Sequence, residues 1–233
     1  NRNRAGAYAS MFMTGAGMFG TFLFLTYYLQ QTLGYSPLVT GLAFLPFSIA
    51  SAAAANLSTI VLMPRFGPRP LAMFGIFGAA AATVWLAQLG PLTGYATGVL
   101  GPLIVDGFSL GMVISPAIST GTFDVAPRDA GVASATVTVA QQLGASIGTS
   151  LVNTIFAGAV ASYLAAHAAS ARPAGHQALT ESALAHGYDT AFWWIAGIFT
   201  AGALIAGVLF RRGPLVPTGT PSQAADSAAE ILH

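Results

Sequence analysis

Six long apolar stretches limit the fold of this chain more than any other feature of its sequence. A helix needs about 20 mostly apolar residues to cross the hydrocarbon core of a bilayer. Of the 233 residues, 55% are hydrophobic and only 6% are charged, whereas a soluble domain carries about 25% charged residues. We therefore predict an all-α membrane protein, a bundle of six transmembrane helices at about residues 8–30, 40–63, 71–90, 96–119, 131–160 and 190–210.

The segments between these predicted spans carry turn-forming residues. They are "LGYSPL", "PRFGPRP", "GPLTG", "DVAPRDAG" and a longer polar segment near residues 165–188. Residues 213–233 are small and polar with no helical face, which predicts a disordered tail. Because the first residue is Asn rather than Met, we expect the chain to be a piece of a longer protein.

The positions of the arginines predict the orientation in the membrane. Lysine is absent, so arginine supplies all eight basic side chains. If the N-terminus is cytoplasmic, only Arg172 lies in an outer segment, and the inner segments hold Arg2, Arg4, Arg65, Arg69, Arg128, Arg211 and Arg212. Cytoplasmic loops of membrane proteins are enriched in basic residues. We therefore predict that both termini, including the tail, are cytoplasmic.

Composition also argues against several kinds of function. The net charge of +1 offers no basic surface for nucleic acid. The chain has no cysteine, which excludes disulfides and thiolate catalysis within it. It contains no GxxxxGK[ST] nucleotide-binding loop and no cluster of metal ligands. We expect neither a cofactor nor a metal, and no nucleic-acid partner.

Two predicted spans carry polar stripes when they are drawn as helices of about 100° per residue. On the first span the stripe contains Ser10, Thr14, Gly17, Thr21, Tyr28 and Thr32, and on the fifth it contains Ser134, Thr138, Gln142, Ser146, Thr149 and Asn153. Small and hydroxylated residues can also serve close helix packing in lipid, so the hydroxyls leave both interpretations open. The amides of Gln142 and Asn153 favour a water-filled cavity, since an amide needs several hydrogen-bond partners.

The fourth predicted span contains an isolated acid, Asp106, with no charged residue within seventeen positions on either side. An ionised Asp near the centre of a span costs about 2.5–3.5 kcal/mol on insertion scales, and such residues commonly serve function. Gly107 and Gly111 form a GxxxG motif on another face of this helix, as Gly144 and Gly148 do on the fifth span, and packing is the expected role of both motifs. Asp106 is either a buried structural acid or a group that binds a proton or a cation beside a cavity.

Several strings resemble a known family of carriers. "GMFGTFLFLTYYLQQTLGYSPLVTGLAFLP" (17–46), "APRDAGVASATVTVAQQLGASIGTSLVNTIF" (126–156) and "HQALTESALAHGYDTAFWWIAGI" (176–198) are similar to the later helices of fourteen-helix drug:proton antiporters. These are the EmrB/QacA branch of the major facilitator superfamily. The resemblance covers residues 1–212 and implies one six-helix half of the major facilitator fold, the C-terminal one.

One cytoplasmic turn resembles a family motif of the type D-R-x-G-R. In "PRFGPRP", Arg65, Gly67 and Arg69 match it, whereas Pro64 stands at the acidic position. The charge pairing of that acid is therefore not expected here.

The resemblance implies a transporter rather than an enzyme, in the plasma membrane of a bacterium. It implies proton-driven export of amphipathic, drug-like molecules through a cavity shared with the missing N-terminal half of the same chain. The first, second, fourth and fifth spans would line that cavity. We expect Asp106 to bind a proton or cation, and the candidate cavity residues are Thr21, Phe24, Tyr28, Ser109, Thr138, Gln142, Thr149 and Asn153.

Two other functions fit parts of the sequence. "GFSLG" (107–111) matches the G-x-S-x-G pattern of serine hydrolases, and six spans suit a rhomboid-like protease. That pattern needs a strand-to-helix turn, and His167, His176, His186 and His233 all lie outside the predicted spans. A half-carrier that pairs with a second copy of itself is the other alternative.

The predicted topology can be tested by labelling single cysteines at Ser170 and Thr218 in intact cells. An impermeant thiol reagent should label position 170, in the last outer segment, and should not label position 218, in the cytoplasmic tail. The reverse pattern would contradict the predicted orientation.

Overall fold

The computed structural model describes residues 2–90, 93–122, 125, 127–167 and 176–210, and in this part of the chain the regular elements are helices. Six of them are long and apolar enough to cross a membrane, which confirms the predicted fold class. We name these spans 1 to 6, and they comprise Arg4–Thr32, Pro37–Phe66, Pro68–Leu86, Tyr95–Thr122, Ala130–His167 and Gln177–Leu209. The predicted tail 213–233 lies outside the described residues, as do Arg172, Arg211 and Arg212.

Local sequence explains where the helices break. Gly34 lies in the turn between spans 1 and 2. Its φ of 68° is a left-handed conformation that glycine adopts without steric cost. Ser36 then caps span 2, because its hydroxyl accepts a hydrogen bond from the Val39 N–H at 3.4 Å and Pro37 occupies the first turn. Span 2 is interrupted at Phe44, just before Pro46. Short π-helical turns occur at Tyr28–Thr32, Ser58–Leu62 and Tyr95–Val99.

Span 6 begins much earlier than the predicted residue 190. Its helix starts at His176 and includes the whole polar stretch "HQALTESALAHGYD", for which the sequence predicts an outer loop. Ala, Leu, Gln and Glu are good helix formers, and no Pro or Gly interrupts the stretch before Gly187. Hydropathy marks where a helix is apolar enough for lipid, and the helix itself can continue beyond the bilayer.

Spans 1 and 4 lie at the centre of the bundle. Span 1 packs against spans 4, 5 and 6, and span 4 packs against spans 2 and 3, while span 3 also contacts span 6. Spans 2 and 5 therefore lie on opposite flanks. In each of these two spans only 22% of the most apolar 18-residue stretch is buried inside the bundle, whereas the share is 44–56% in the other four spans. The flanking spans have the largest free faces.

Both GxxxG motifs lie at close helix contacts, which confirms their packing role. A Cβ atom at Gly144 would overlap the backbone oxygen of Phe12, and one at Gly148 would overlap the backbone of Ala16. Gly107 and Gly111 lie in the same way against the backbone of span 2. Lipid is as apolar as a leucine side chain, so helices in a membrane are held by such close packing rather than by a hydrophobic driving force.

We expect Gly144→Ala to destabilise the protein, because the added methyl group meets backbone atoms that cannot move aside independently. The cost should be about 1–3 kcal/mol, as for other overpacked contacts, and thermal unfolding in detergent would measure it.

The matched control is Gly158→Ala on the same helix, where a Cβ atom would meet nothing within 4 Å. This substitution should leave stability unchanged or raise it by up to about 1 kcal/mol through helix propensity. Equal unfolding temperatures for the two variants would contradict the packing arrangement of spans 1 and 5.

Candidate functional site

The polar stripe of span 1 lies inside the bundle. Ser10, Thr14 and Thr21 are all buried, and the Thr21 hydroxyl donates a hydrogen bond to the Gly17 carbonyl oxygen at 3.0 Å. Gly17 itself lies against the Phe199 ring of span 6. This stripe therefore faces other helices of the same bundle, and the hydroxyls serve close packing there.

Phe24 and Tyr28 belong to an aromatic cluster between spans 1, 5 and 6. The Phe24 ring centroid lies 5.1 Å from that of Phe156, and the Tyr28 centroid lies 6.0 Å from that of Tyr188. The Tyr28 hydroxyl is within donating distance of the Gly90 and Thr93 carbonyl oxygens, at 2.9 and 2.7 Å. Both side chains are covered by the chain's own helices, which differs from the open cavity wall that we expected for them.

Asp106 lies in the interior of the bundle. It is only 1% exposed, and its neighbours along the same face of span 4, Leu103, Leu110 and Val113, are equally buried. The exposed residues of this stretch, Ile104, Val105 and Phe108, point to the other side of the helix. The structure therefore places the acid away from the free surface of span 4, not beside an open cavity.

The carboxylate of Asp106 has little to compensate its charge. No hydrogen-bond partner for its Oδ1 atom is found among the described residues, and the described arginines lie at the ends of spans. An uncompensated buried charge is costly. This isolation is unusual for a structural acid, because buried polar groups are normally hydrogen-bonded.

Ser109 lies on the same buried side of span 4, against Gly75 and Gly78 of span 3. It is part of a continuous helix. The described histidine rings lie elsewhere, since His167 stacks on Tyr163 and His186 is tilted against the same ring. The strand-to-helix turn that a serine nucleophile needs is not present around Ser109.

Span 5 presents its polar stripe outward. Thr138, Gln142 and Asn153 are exposed, and Thr149 is half-buried. The Thr138 hydroxyl donates to the Ser134 carbonyl oxygen at 3.3 Å, whereas neither amide forms a hydrogen bond with another described residue. At 100° per residue, Gln142 lies about 160° around the helix from Gly144, which packs on span 1. The amides therefore face away from the bundle.

The free surface of span 5 has a second, apolar part. Leu143, Ile147 and Leu151 are about half exposed and lie beside the polar stripe. An apolar strip can face lipid, whereas exposed amides within the hydrocarbon region need protein or water as partners. The two parts of this surface thus require different surroundings.

The structure explains the glycine of the cytoplasmic turn. Gly67 joins spans 2 and 3 with a φ of 75°, and its N–H donates to the Met63 carbonyl oxygen at 2.9 Å. Arg65 is exposed and Arg69 is partly exposed, and neither forms an ion pair with another described residue. Pro64 supplies no acid to either arginine.

A pocket that the sequence did not predict opens at the other end of the bundle. It has a volume of about 210 Å³. Residues of spans 1 and 6 line it, together with Gly90, which follows the end of span 3: Tyr28, Gln31, Thr32, Gly90, Glu181, Leu184, Ala185 and Tyr188. Glu181 lies in the polar segment 165–188, for which the sequence predicts a loop. The signal in the sequence was the helix-forming stretch after residue 176, which carries Glu181 and Tyr188 at a spacing of two helical turns.

In the described part of the chain, no three His, Asp or Glu side chains come close enough together to hold a metal ion. The site residues thus fall into three separate groups. The buried group comprises Thr21, Phe24, Tyr28, Asp106 and Ser109, the exposed group lies on span 5, and the turn arginines lie at one end.

Comparisons with known proteins agree with this architecture. A family model described as Major Facilitator Superfamily matches residues 2–149. The puromycin resistance protein pur8 of Streptomyces alboniger is 40% identical over 211 residues, which make up 90% of this chain and 41% of that protein. The cephamycin export protein CmcT of Amycolatopsis lactamdurans is 31% identical over 63% of this chain and 30% of its own length.

A multidrug resistance protein B homolog of Mycobacterium tuberculosis is 33% identical, over 66% of this chain and 29% of its own length. The chain thus spans less than half the length of each of these three relatives. Together with the six apolar helices, the matches show that this multi-pass bacterial membrane protein belongs to the major facilitator superfamily, and the three relatives are named for resistance to, or export of, antibiotics and drugs.

Proposed function

We propose that this chain is the C-terminal half of a proton-coupled antiporter that exports amphipathic small molecules. The observation that carries the proposal is the exposed polar surface of span 5, which lies in a hydrophobic helix and whose amides, Gln142 and Asn153, have no hydrogen-bond partner among the described residues. Such a surface needs water or another protein segment beside it. A water-filled path between two halves of a carrier would supply both.

The names of the relatives suggest the first compounds to test. One confers resistance to puromycin and another exports cephamycin, as their names state. Puromycin is amphipathic and carries an amine, which suits a path lined by hydroxyls and amides. We therefore propose puromycin and related amphipathic amines as substrates of the complete protein.

The proposed site for substrate contact is the outward stripe of Thr138, Gln142, Thr149 and Asn153. Phe24 supports span 5 from behind through its ring contact with Phe156, and Tyr28 packs on Tyr188 of span 6. Thr21 lies inside the bundle, and Ser109 packs on span 3. The opposite half of the protein would face the polar stripe, and lipid would face the apolar strip of Leu143, Ile147 and Leu151.

Replacing Gln142 with Phe in the complete protein should change which compounds are exported. The substitution fills the path and removes an amide whose hydrogen bonds contribute about 1 kcal/mol each, so we expect about a tenfold change in the resistance to some compounds relative to others. Growth inhibition by a panel of amphipathic drugs, at matched protein levels, measures this.

Ile147→Phe is the matched control, since Ile147 is 56% exposed on the apolar strip of the same helix. It should leave the export profile unchanged. If both variants behaved like the parent protein for every compound, the span 5 stripe would be a packing surface and not a substrate path.

We further propose that Asp106 takes up and releases the proton that drives export. The proposal is supported by a lone carboxyl group inside a membrane span, with no basic partner among the described residues and an Oδ1 atom that lacks a hydrogen bond. Since the group is almost fully covered, water would reach it only when the helices packed on span 4 move apart. Protonation would then be linked to that movement.

Asp106→Asn should leave the protein folded but abolish proton-driven export. The amide keeps the shape of the side chain and removes its titration. Substrate-induced proton release from the purified protein, together with drug transport into inverted vesicles at several pH values, measures the effect.

Asp129→Asn is the control, because Asp129 is an exposed acid that forms only a surface ion pair with Arg128, at 3.6 Å. Such pairs contribute about 0–1 kcal/mol, so transport should be unaffected. Export by Asp106→Asn with an unchanged pH dependence would show that Asp106 is a structural acid.

A further inference from the structure

Three buried hydroxyl groups lie inside the bundle near one of its ends. Ser10 and Thr14 on span 1 are fully buried, and Thr120 on span 4 is almost fully buried. None of the three hydroxyl oxygens has a hydrogen-bond partner among the described residues. Buried polar groups are normally hydrogen-bonded to protein or to ordered water. These hydroxyls therefore require partners that the surrounding helices do not supply.

The usual partner of a hydroxyl in a helix is not used by these three residues. Ser and Thr side chains in helices commonly donate to the carbonyl oxygen four residues earlier, as Thr21 does to Gly17 at 3.0 Å. Ser10, Thr14 and Thr120 form no such bond. Their hydroxyls are therefore available to a ligand inside the bundle.

On span 1 these hydroxyls lie between two helix contacts. At 100° per residue, Ser10 and Thr14 differ by about 40° around the helix. The face on one side carries Met11, which packs on span 4, and the face on the other side carries Gly17, which lies against Phe199 of span 6. Ser10 and Thr14 therefore project into the space between spans 4 and 6.

Span 4 directs its polar groups into the same space. Asp106 and Thr120 differ by about 40° around this helix. They lie between Ser109, which contacts span 3, and Gly121, which contacts span 1. Span 3 packs on spans 4 and 6 and closes the space from the far side. The hydroxyl seam, as we name this space, contains four buried polar side chains: Ser10, Thr14, Asp106 and Thr120.

The spacing of the hydroxyls suits bridging by water. Gly121 lies beside Tyr8, so Ser10 and Thr120 are within about 3 Å of each other along the bundle axis, at a rise of about 1.5 Å per residue. Thr14 lies one helical turn further in. Side chains one turn apart are separated by about 5–6 Å, which a single water molecule spans with two hydrogen bonds of about 2.8 Å.

An aromatic ring separates these hydroxyls from Asp106. The buried Phe199 ring lies against Gly17, which is between Thr14 and Thr21 in the sequence of span 1. Counted from the same contact with span 4, Thr21 lies within about 3 Å of the level of Asp106. The apolar ring thus interrupts the line of hydroxyls about two helical turns before the acid.

We propose that the hydroxyl seam holds ordered water on Thr120, Ser10 and Thr14 and is the route by which Asp106 exchanges its proton with the end of the bundle that is predicted to be cytoplasmic. The Phe199 ring closes this route until span 6 moves away from span 1. The Asp106 carboxyl then releases its proton to a water molecule and becomes a carboxylate, and the water chain carries the proton to bulk solvent.

The route rests on the proposed role of Asp106 in export, whereas the hydration of the hydroxyl seam does not. The seam runs inside the bundle and is separate from the polar stripe of span 5. Proton and substrate would therefore take different paths through the protein.

Hydration is tested on the complete protein in lipid bilayers, with isotope-labelled threonine and solid-state NMR in which magnetisation starts on water. Thr14 and Thr120 should receive this magnetisation rapidly. The matched control is Thr83, which is equally buried but donates its hydroxyl to the Ala79 carbonyl oxygen at 3.0 Å, so its signal should grow severalfold more slowly. Each signal is assigned by its loss in the corresponding Thr→Val variant.

The route is tested by the rate at which the purified complete protein releases protons after a pH jump, read with a pH-sensitive dye. The Asp106 component is the one that Asp106→Asn removes. Thr14→Val keeps the shape of the side chain and removes one hydrogen-bonded link, so this component should slow by about five- to tenfold. Thr83→Val is the control and should leave the rate unchanged.

The closing ring is tested by Phe199→Leu, which should speed the Asp106 component severalfold because the smaller side chain leaves a gap beside Gly17. The matched control is Phe192→Leu, since Phe192 is equally buried and lies about two turns away on the same face of span 6. That variant should release protons at the parental rate.

Water transfer as slow at Thr14 and Thr120 as at Thr83 would overturn the proposal, whatever Asp106 does. Equal proton-release rates in Thr14→Val and Thr83→Val would overturn the route even in a hydrated seam. Full proton release by Asp106→Asn would instead overturn the proposed role of Asp106 in export, and the route with it.

Discussion

The close backbone contact between spans 1 and 5 determines which surfaces of this bundle are free. Gly144 and Gly148 bring span 5 against Phe12 and Ala16 so tightly that no side chain fits between the two helices. Span 5 also packs on span 6, through Phe156 against Tyr188, and the side of span 5 opposite the glycines stays free. Because the amides lie on the side opposite this contact, the same glycines that hold span 5 also direct Gln142 outward.

Span 2 is attached by the same kind of contact, with Gly107 and Gly111 of span 4 against its backbone. Each flanking span therefore has one close contact that is made by a pair of glycines. Span 5 also packs on span 6, and spans 1 and 4 are held on several sides. In lipid no hydrophobic force separates buried from exposed helices. This difference in packing therefore decides that spans 1 and 4 are central and that spans 2 and 5 keep exposed faces.

Much of this architecture could be predicted from the sequence, but the surroundings of individual side chains could not. The number of spans, the fold class and the packing role of the glycine pairs follow from apolar length and small-residue spacing. Spans 1 and 5 carry polar stripes of the same spacing, yet Thr21 is buried and Gln142 is exposed. A helical wheel shows which residues share a face of one helix. Whether that face is exposed depends on which other helix packs against it.

The outer pocket was missed for a related reason. It joins Tyr28 to Glu181 and Tyr188, which are far apart in the sequence, and hydropathy placed Glu181 outside any helix. Only the extension of span 6 beyond the apolar region brings these groups together. The helix propensity of residues 176–186 favours the extended helix, whereas nothing in the local sequence indicates that span 1 packs beside it.

The positions of Asp106 and Gln142 limit how proton and substrate can be coupled in the proposed export cycle. Asp106 is enclosed on the inner side of span 4, and Gln142 lies on the outer side of span 5, with span 1 between these helices for much of their length. One small molecule cannot contact both groups in this conformation, so direct competition between proton and drug for a single acid does not fit the geometry. Coupling would instead pass through span 1, which packs on both helices. Since its contact with span 5 is a rigid backbone contact, a movement that admits water to Asp106 would also move the amide surface. The glycines that hold span 5 in place would then also link the two sites.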